Sequence, residues 1–249
     1  MKNFKLVIQY DGGRYKGWQR LGNSENTIQG KLEYVLSEFL GETTEMIGSS
    51  RTDAGVHALA QVANFKTEKE LSESEVKAYF NHYLPQDICV REVSHVPESF
   101  HARYHAKGKT YLYQIWNQEQ HNPFLRKYSS HIKDKLDVNR MKQAAQYFIG
   151  EHDFTTFSNA KTNKKSMVRE IYAIRIEERE GLIQIRVRGN GFLYNMVRKM
   201  VGTLLAVGRG ELSPEAMLPI IASKERNQSG WTAEACGLIL ESVEYSEKP

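Results

Sequence analysis

The chain opens with the stretch FKLVIQYDGG, residues Phe4 to Gly13. Apolar residues occupy its even positions up to Tyr10, with Val7 as the one apolar residue on the other side. This period of two is typical of a strand that buries one face. The Asp-Gly-Gly that follows favours a turn. The stretch therefore predicts an amino-terminal β-strand, and the rest of the half-chain can be laid out from it.

Outward from this strand, the first half of the chain follows the order β-α-β-β-α-β. Apolar residues at helical spacing begin behind Thr27 and end before Gly41, which predicts a first helix. Ser72 and Glu75 form the sequence pattern of a capping box, which predicts the start of a second helix. Further strands are predicted over residues 46–49, 60–65 and 88–96.

The second half repeats this order, with one helix added before its last strand. Strands are predicted over residues 110–117, 169–176, 183–188 and 237–245, and helices over 138–149, over 195–207 and from Ser213. Two such passes predict an α+β fold of two tandem β-α-β-β-α-β halves, ferredoxin-like or RRM-like, whose antiparallel sheets flank a central active-site cleft. The predicted domains are residues 1–105, which carry the loop around Asp53, and residues 106–249.

Composition excludes several classes of protein. The chain is 40% apolar and 26% charged, and no uncharged apolar run approaches the roughly 18 residues of a membrane span. Its cysteines, Cys89 and Cys236, stand far apart, which argues against a disulfide scaffold and a Cys-x-x-Cys metal site. The start of the chain has no secretory pattern, so we expect a cytoplasmic protein. The net charge of +4 is compatible with an anionic partner.

A run of small and polar residues, 48–57, lies between two predicted strands and surrounds Asp53. A loop there can expose a carboxylate. On turn statistics alone, Thr-Asp-Ala-Gly is more often a turn in which the Asp side chain binds its own backbone. The wider set of motifs decides between these two interpretations.

The run Arg51-Thr52-Asp53-Ala54-Gly55-Val56-His57 resembles the signature of the tRNA pseudouridine synthase A family. Blocks similar to other parts of that family are Tyr10-Asp11-Gly12, Thr27-Ile28-Gln29, Phe100-His101-Ala102-Arg103-Tyr104, Lys109-Thr110-Tyr111, Gly150-Glu151-His152-Asp153-Phe154 and Asn195-Met196-Val197-Arg198. The resemblance implies an isomerase, an intramolecular transferase that converts uridine to pseudouridine at positions 38 to 40 of the tRNA anticodon stem-loop. It also implies a homodimer without a cofactor, in which the second half completes the active site and the dimer.

The resemblance implies that Asp53 is the nucleophile. A carboxylate suits that role because it is ionised at neutral pH and can attack either the sugar C1′ or the base C6 and later leave. Burial alone would raise its pKa from about 3.9, so an enclosed Asp53 needs a nearby cation. Arg198, which matches the family's Met-Val-Arg block, is the first candidate, although the residues alone also allow a solvated helix side chain. For Arg51, the second candidate, we favour a contact with RNA.

Tyr111 has two interpretations as well. It lies on a predicted strand with Tyr113 and Ile115 on the same face, which is typical of an aromatic residue in a sheet core. Its match to the family's Lys-x-Tyr block implies instead a ring that stacks on the extruded uracil, or a phenol that helps to move the C5 proton.

Basic residues form two clusters that suit phosphate contacts, although such a run is usually a solvated face. The clusters are Arg14, Lys16 and Arg20, and Lys161, Lys164, Lys165 and Arg169. No metal or cofactor site is expected. His101 and His105 have no third ligand at a suitable spacing, and dinucleotide-binding and phosphate-loop motifs are missing from the sequence. We expect His57 to hold the loop.

Two other functions fit the residues less completely. A tandem RNA-recognition protein without catalysis would share the β-α-β-β-α-β order, but it leaves the Arg-Thr-Asp loop unexplained. A carbohydrate-cleaving enzyme with Asp11 and Asp53 as its acids would need both carboxylates across one cleft. An assay for pseudouridine in tRNA separates all three.

Overall fold

The computed structural model describes residues 1–159 and 166–246, which form two compact units. Unit 1 contains Met1–Lys107 and the segment from Leu240 onward, and unit 2 contains Gly108–Ile239. Most of the last strand therefore groups with unit 1. Within the described ranges, no helix is both long and apolar enough to cross a membrane.

Unit 1 has the element order β-α-β-β-α-β. Its elements are β1 (Lys2–Tyr10), α1 (Ile28–Leu40), β2 (Ile47–Gly48), β3 (His57–Thr67), α2 (Glu73–Tyr83) and β4 (Ile88–Val96). In its sheet, β1 lies between β4 and β3, and β2 pairs with β3, with every one of these pairings antiparallel. The last strand, β10 (Leu238–Tyr245), is also hydrogen-bonded to β3.

Local signals in the sequence explain where these elements begin and end. Phe4, Leu6 and Ile8 on β1 are 0% exposed, which confirms the predicted buried face. The side chain of Thr27 accepts a hydrogen bond from the helix backbone, and Gly41 ends α1 at a φ of 66°. The capping box of Ser72 and Glu75 is present at the start of α2.

Unit 2 also combines a sheet with helices. Its elements are β5 (Ala106–Trp116), β6 (Ser130–His131), α3 (Val138–Gln146), β7 (Gly150–Asp153), β8 (Val168–Arg179), β9 (Leu182–Gly189), α4 (Met196–Gly208) and α5 (Met217–Ser223). Its strands run β5-β9-β8-β7 with antiparallel pairings, and β6 pairs with β5 in parallel. Sequence periodicity did not predict β6 and β7, because strands this short contain too few residues to show a period.

The core of unit 2 is built around α4. Nearly all of this helix is buried, including Met200 and Leu204 at 0% exposure. The helix begins after Asn195, which has a φ of 61°, so its first turn starts at a sharp change of chain direction. The helix predicted from Ser213 begins as a short 3-10 turn, Pro214–Ala216, before α5.

Candidate active site

The loop between β2 and β3 carries Asp53 in a half-buried position, with Arg51 exposed beside it. The backbone N–H of Val56 donates to the carbonyl of Asp53 at 3.1 Å, and Gly55 has a φ of 78°. The predicted turn is therefore present. The turn closes through the backbone carbonyl of Asp53.

The residue before Asp53 is fixed by the segment that follows β1. The N–H of Trp18 donates to the carbonyl of Thr52 at 3.0 Å, and the hydroxyls of Tyr10 and Thr52 lie 2.8 Å apart. The N–H of Gly55 donates to the carbonyl of Tyr15 at 3.3 Å. Tyr10 and Thr52 are 3% and 6% exposed, so these bonds form away from water. The neighbours of Asp53 are thus held by Tyr10, Tyr15 and Trp18, which we call the frame.

Two glycines allow this close approach. A Cβ atom on Gly12 would lie 1.9 Å from the carbonyl oxygen of Val56. Gly17 has a φ of 95°, and a Cβ atom there would lie 2.7 Å from the carbonyl oxygen of Thr52. Backbones can meet this closely only where one of them lacks a side chain. The loop and the segment after β1 therefore fit together only with glycine at both positions.

Gln61 on β3 fixes the start of the loop from the other side. Its side-chain oxygen, Oε1, accepts from the hydroxyl of Ser49 at 2.7 Å and from the N–H of Ser50 at 3.3 Å. Its amide donates to the carbonyl of Ser50 at 2.9 Å, and the side chain is 0% exposed. Sequence reasoning missed this residue. The signal was a polar side chain in the middle of a buried strand, which needs partners nearby.

His57 holds the loop against the turn after β1. Its Nδ1 accepts from the N–H of Gly12 at 3.0 Å and lies 3.1 Å from Oδ1 of Asp11. The same Asp11 oxygen accepts from the N–H of Gly13 at 2.9 Å. His57 is 3% exposed. These contacts agree with a structural role for His57 and place the carboxylate of Asp11 in the turn.

Tyr111 lies in the core of unit 2. It is 7% exposed, and its ring packs edge-to-face on Phe192 with centroids 5.1 Å apart. Tyr113 and Ile115, both 0% exposed, share its face of β5. Burial raises the pKa of Tyr113, whose phenol donates to the carbonyl of Glu234 at 2.9 Å. This geometry agrees with the sheet-core interpretation of Tyr111.

Arg198 lies in the first turn of α4 and is half-buried. Its Nε donates to the carbonyl of Ala233 at 2.7 Å, and its Nη1 donates to Oδ1 of Asn195 at 3.3 Å. The interpretation of Arg198 as a solvated helix side chain is therefore wrong, because the side chain is held by hydrogen bonds within unit 2.

The basic cluster after β1 has partners that the sequence did not predict. Arg14 forms an ion pair with Asp87, and Arg20 forms ion pairs with Glu33 at 3.1 Å and Glu45 at 3.4 Å. Both arginine side chains remain more than half exposed, at 70% and 51%. Lys16 is also exposed. In the second cluster, Lys161, Lys164 and Lys165 lie outside the described residues. Nη1 of Arg169 donates to the backbone carbonyls of Ser166 at 2.9 Å and Val168 at 2.6 Å.

Asp87 also receives a hydrogen bond from the phenol of Tyr15, at 2.7 Å. Burial, and then this bond, raises the pKa of Tyr15 to about 12, so the phenol stays protonated as a donor. Asp87 thereby connects Arg14 and the segment after β1 to the loop between α2 and β4.

The two histidines considered as metal ligands have another role. Nδ1 of His101 accepts from the N–H groups of Arg103 at 3.1 Å and Tyr104 at 3.3 Å, which closes a turn. His105 lies one turn further, and its Nδ1 is 3.4 Å from the N–H of His101. Among the residues that the structure describes, no group of three or more His, Cys, Asp or Glu side chains could hold a metal ion.

Comparison with known proteins decides the family. A family model described as tRNA pseudouridine synthase matches residues 6–105 and 144–246, which is most of the chain. The chain belongs to this family. As a tRNA pseudouridine synthase it is an isomerase that acts on uridine in tRNA. Membership excludes both the RNA-recognition protein without catalysis and the carbohydrate-cleaving enzyme.

Curated relatives agree over the full length. The chain is 61% identical to tRNA pseudouridine synthase A of Bacillus sp. (strain KSM-64) and 60% identical to tRNA pseudouridine synthase A 2 of Bacillus anthracis. Each match covers 98% of this chain and 100% of the relative. A protein of Clostridium perfringens, also called tRNA pseudouridine synthase A 2, is 47% identical over 98% of this chain and 100% of its own length.

Proposed function

We propose that this pseudouridine synthase modifies uridines at positions 38 to 40 of the tRNA anticodon stem-loop, with Asp53 as its nucleophile and no cofactor. The observation that carries the proposal is the Arg-Thr-Asp loop itself. It combines the sequence resemblance at residues 51–57 with a frame that holds Thr52, the neighbour of Asp53, by a backbone bond to Trp18 and a hydroxyl contact with Tyr10. Such preorganisation is what a nucleophile needs to meet one atom of a bound base.

The chemistry rearranges bonds without oxidation. The C1′–N1 bond breaks, the enclosed uracil turns, and a new C1′–C5 bond forms while C5 loses a proton and N1 gains one. A carboxylate attacks C1′ or C6 and leaves as a carboxylate again, so the enzyme returns to its starting state. Half-burial of Asp53 allows the carboxylate to meet the substrate while the frame keeps its backbone in place.

Arg198 and Tyr111 are the other proposed catalytic residues. We assign Arg198 the task of keeping Asp53 anionic, because a buried carboxyl otherwise tends to take up a proton. Tyr111 contacts the extruded uracil through its ring or moves the C5 proton through its phenol. Hydrogen bonds to Ala233 and Asn195 that restrain the Arg198 guanidinium support its assignment.

The proposed tRNA contacts are electrostatic. The exposed basic residues of unit 1 suit contacts with phosphate groups: Arg51, Arg14, Lys16 and Arg20. From their sequence, Lys161, Lys164 and Lys165 suit the same contacts.

We further propose a cytoplasmic homodimer that shares one tRNA. Replacing Lys161, Lys164 and Lys165 by Ala should reduce the salt dependence of tRNA binding, and light scattering should give twice the monomer mass.

We also infer that the two halves of the chain are tandem ferredoxin-like copies, each with an antiparallel sheet. The β4-β1-β3-β2 arrangement and β-α-β-β-α-β order of unit 1 support this inference.

The experiment that tests the function uses unmodified tRNA transcripts in which only one of positions 38, 39 and 40 is a uridine. Each transcript is incubated with the purified protein, and the position of every pseudouridine is determined. We expect formation at these positions and none at uridines outside the stem-loop. Modification confined to another arm of the tRNA contradicts the proposed site, and its complete absence contradicts the proposed function.

A further inference from the structure

A segment of unit 2, residues 226–234, lies directly against α4, and we call it the strap. A Cβ atom on Gly202 of α4 would lie 1.8 Å from the carbonyl oxygen of Trp231, and one on Gly230 would lie 2.7 Å from the backbone nitrogen of Thr203. Both glycines are therefore required by backbone contact. The strap is fitted to the helix more tightly than ordinary side-chain packing allows.

Buried side chains of α4 bind the strap. The hydroxyl of Thr203, 0% exposed, donates to the carbonyl of Lys199 at 2.9 Å and accepts from the N–H of Gly230 at 2.9 Å. Lys199 is 7% exposed, and its Nζ donates to Oγ of Ser229 at 2.9 Å and to the carbonyl of Arg226 at 3.2 Å. Burial lowers the pKa of Lys199, and the charge of Arg226 adds to this. A buried ammonium needs such acceptors.

The far end of the strap binds Arg198. The N–H of Ala233 donates to the carbonyl of Arg198 at 3.1 Å, and Nε of Arg198 donates to the carbonyl of Ala233 at 2.7 Å. Ala233 is 2% exposed. The next carbonyl, of Glu234, accepts from the phenol of Tyr113. The acceptor that orients the guanidinium is thus anchored between α4 and β5.

We propose that the strap is a positioning element for Arg198, and that Thr203 and Lys199 are positioning residues of the isomerase. This inference rests on the proposed role of Arg198. An arginine side chain has many accessible rotamers, so a guanidinium that is held only through its Cα does not stay in one position. Charge that is fixed before the substrate arrives stabilises a reacting centre most effectively.

Thr203→Val tests the strap because it keeps the shape of the side chain and removes the hydroxyl. We expect kcat to fall by up to about a hundredfold, which a displacement of about an ångström can cost, with KM for tRNA unchanged. Thr203→Ser keeps the hydroxyl and should restore most of the turnover. Lys199→Met removes the other donor and should show the same loss confined to kcat, which provides a second variant if Thr203→Val unfolds.

A matched control separates positioning from stability. Thr156 is also 0% exposed in unit 2, and its hydroxyl donates to the carbonyl of Ile220 at 3.1 Å. Thr156→Val should lower the free energy of unfolding to a similar extent and leave kcat unchanged. A kcat for Thr203→Val equal to that of Thr156→Val overturns the proposal.

Combination with Arg198→Lys shows whether the strap acts through Arg198. Lysine keeps the positive charge but has no Nε–H for Ala233, so Thr203→Val should cost little more in that background. If Thr203→Val lowers kcat by the same factor in both backgrounds, the proposal is wrong. It is also wrong if Arg198→Lys alone keeps the wild-type kcat while Thr203→Val alone lowers it. Wild-type protein that forms no pseudouridine instead contradicts the proposed function.

Discussion

At the scale of single residues, Thr52 and Gln61 show what determines the position of Asp53. Thr52 was visible in the sequence as part of a motif, and the turn around Asp53 was predictable from Thr-Asp-Ala-Gly. The partners of the loop were not predictable, because Gln61 binds Ser49 and Ser50 through buried side-chain hydrogen bonds that form only when β2 pairs with β3. The same limit applies to Arg14, whose partner Asp87 lies far along the chain.

Tyr10→Phe tests the frame at this scale. It removes the hydroxyl that lies 2.8 Å from the Thr52 hydroxyl while keeping the buried ring. We expect the free energy of unfolding to fall by about 1 kcal/mol, the usual value of one hydrogen bond, and kcat to fall with no change in tRNA affinity. Thr67→Val, which removes another buried hydroxyl of unit 1, should lower stability without affecting kcat. Unchanged turnover by Tyr10→Phe would show that Thr52 does not need this contact.

At the scale of elements, local signals were sufficient for helices and long strands. Thr27, Gly41 and the Ser72 capping box mark helix ends through contacts with neighbouring residues, so the sequence contains the whole signal. The strap lacked such a signal. Its place against α4 depends on Gly202 and Gly230, and an isolated glycine in a helical pattern does not reveal which backbone approaches it.

Gly202→Ala is the corresponding prediction for an element. The added methyl group would lie 1.8 Å from the carbonyl oxygen of Trp231, so strap and helix must separate. Overpacking of this kind costs about 1–3 kcal/mol, which urea unfolding measures. Gly22→Ala is the control, because a Cβ atom there has no heavy atom within 4 Å. Equal stability of the two variants would contradict the contact between α4 and the strap.

At the scale of the whole molecule, the sequence predicted a chain of two β-α-β-β-α-β passes, and unit 1 has this order. The last strand groups mostly with unit 1, which no local pattern could reveal because strand pairing depends on tertiary structure. The modest net charge of +4 also says little about where RNA binds. The positions of the exposed basic side chains determine where the phosphates of tRNA can bind, and we call this set of contacts the footprint.

Lys16→Ala tests that footprint. Lys16 is exposed beside the loop frame, and loss of one phosphate contact should reduce the slope of log affinity against log salt by about 0.7 to 0.9. Titration of tRNA at several salt concentrations measures the slope. Lys77→Ala, at an exposed position of α2, should leave it unchanged. Identical slopes for the two variants would show that the segment after β1 does not contact tRNA.

The most direct test of the account is single-turnover pseudouridine formation by Asp53→Asn with enzyme in saturating excess over tRNA, where weak binding cannot hide the chemistry. The turn around Asp53 closes through its backbone carbonyl, so the variant should fold and bind tRNA normally. The amide cannot act as a carboxylate nucleophile, and the account therefore predicts no detectable pseudouridine. A rate within about tenfold of wild type, a difference of only about 1.4 kcal/mol in activation free energy, would contradict it.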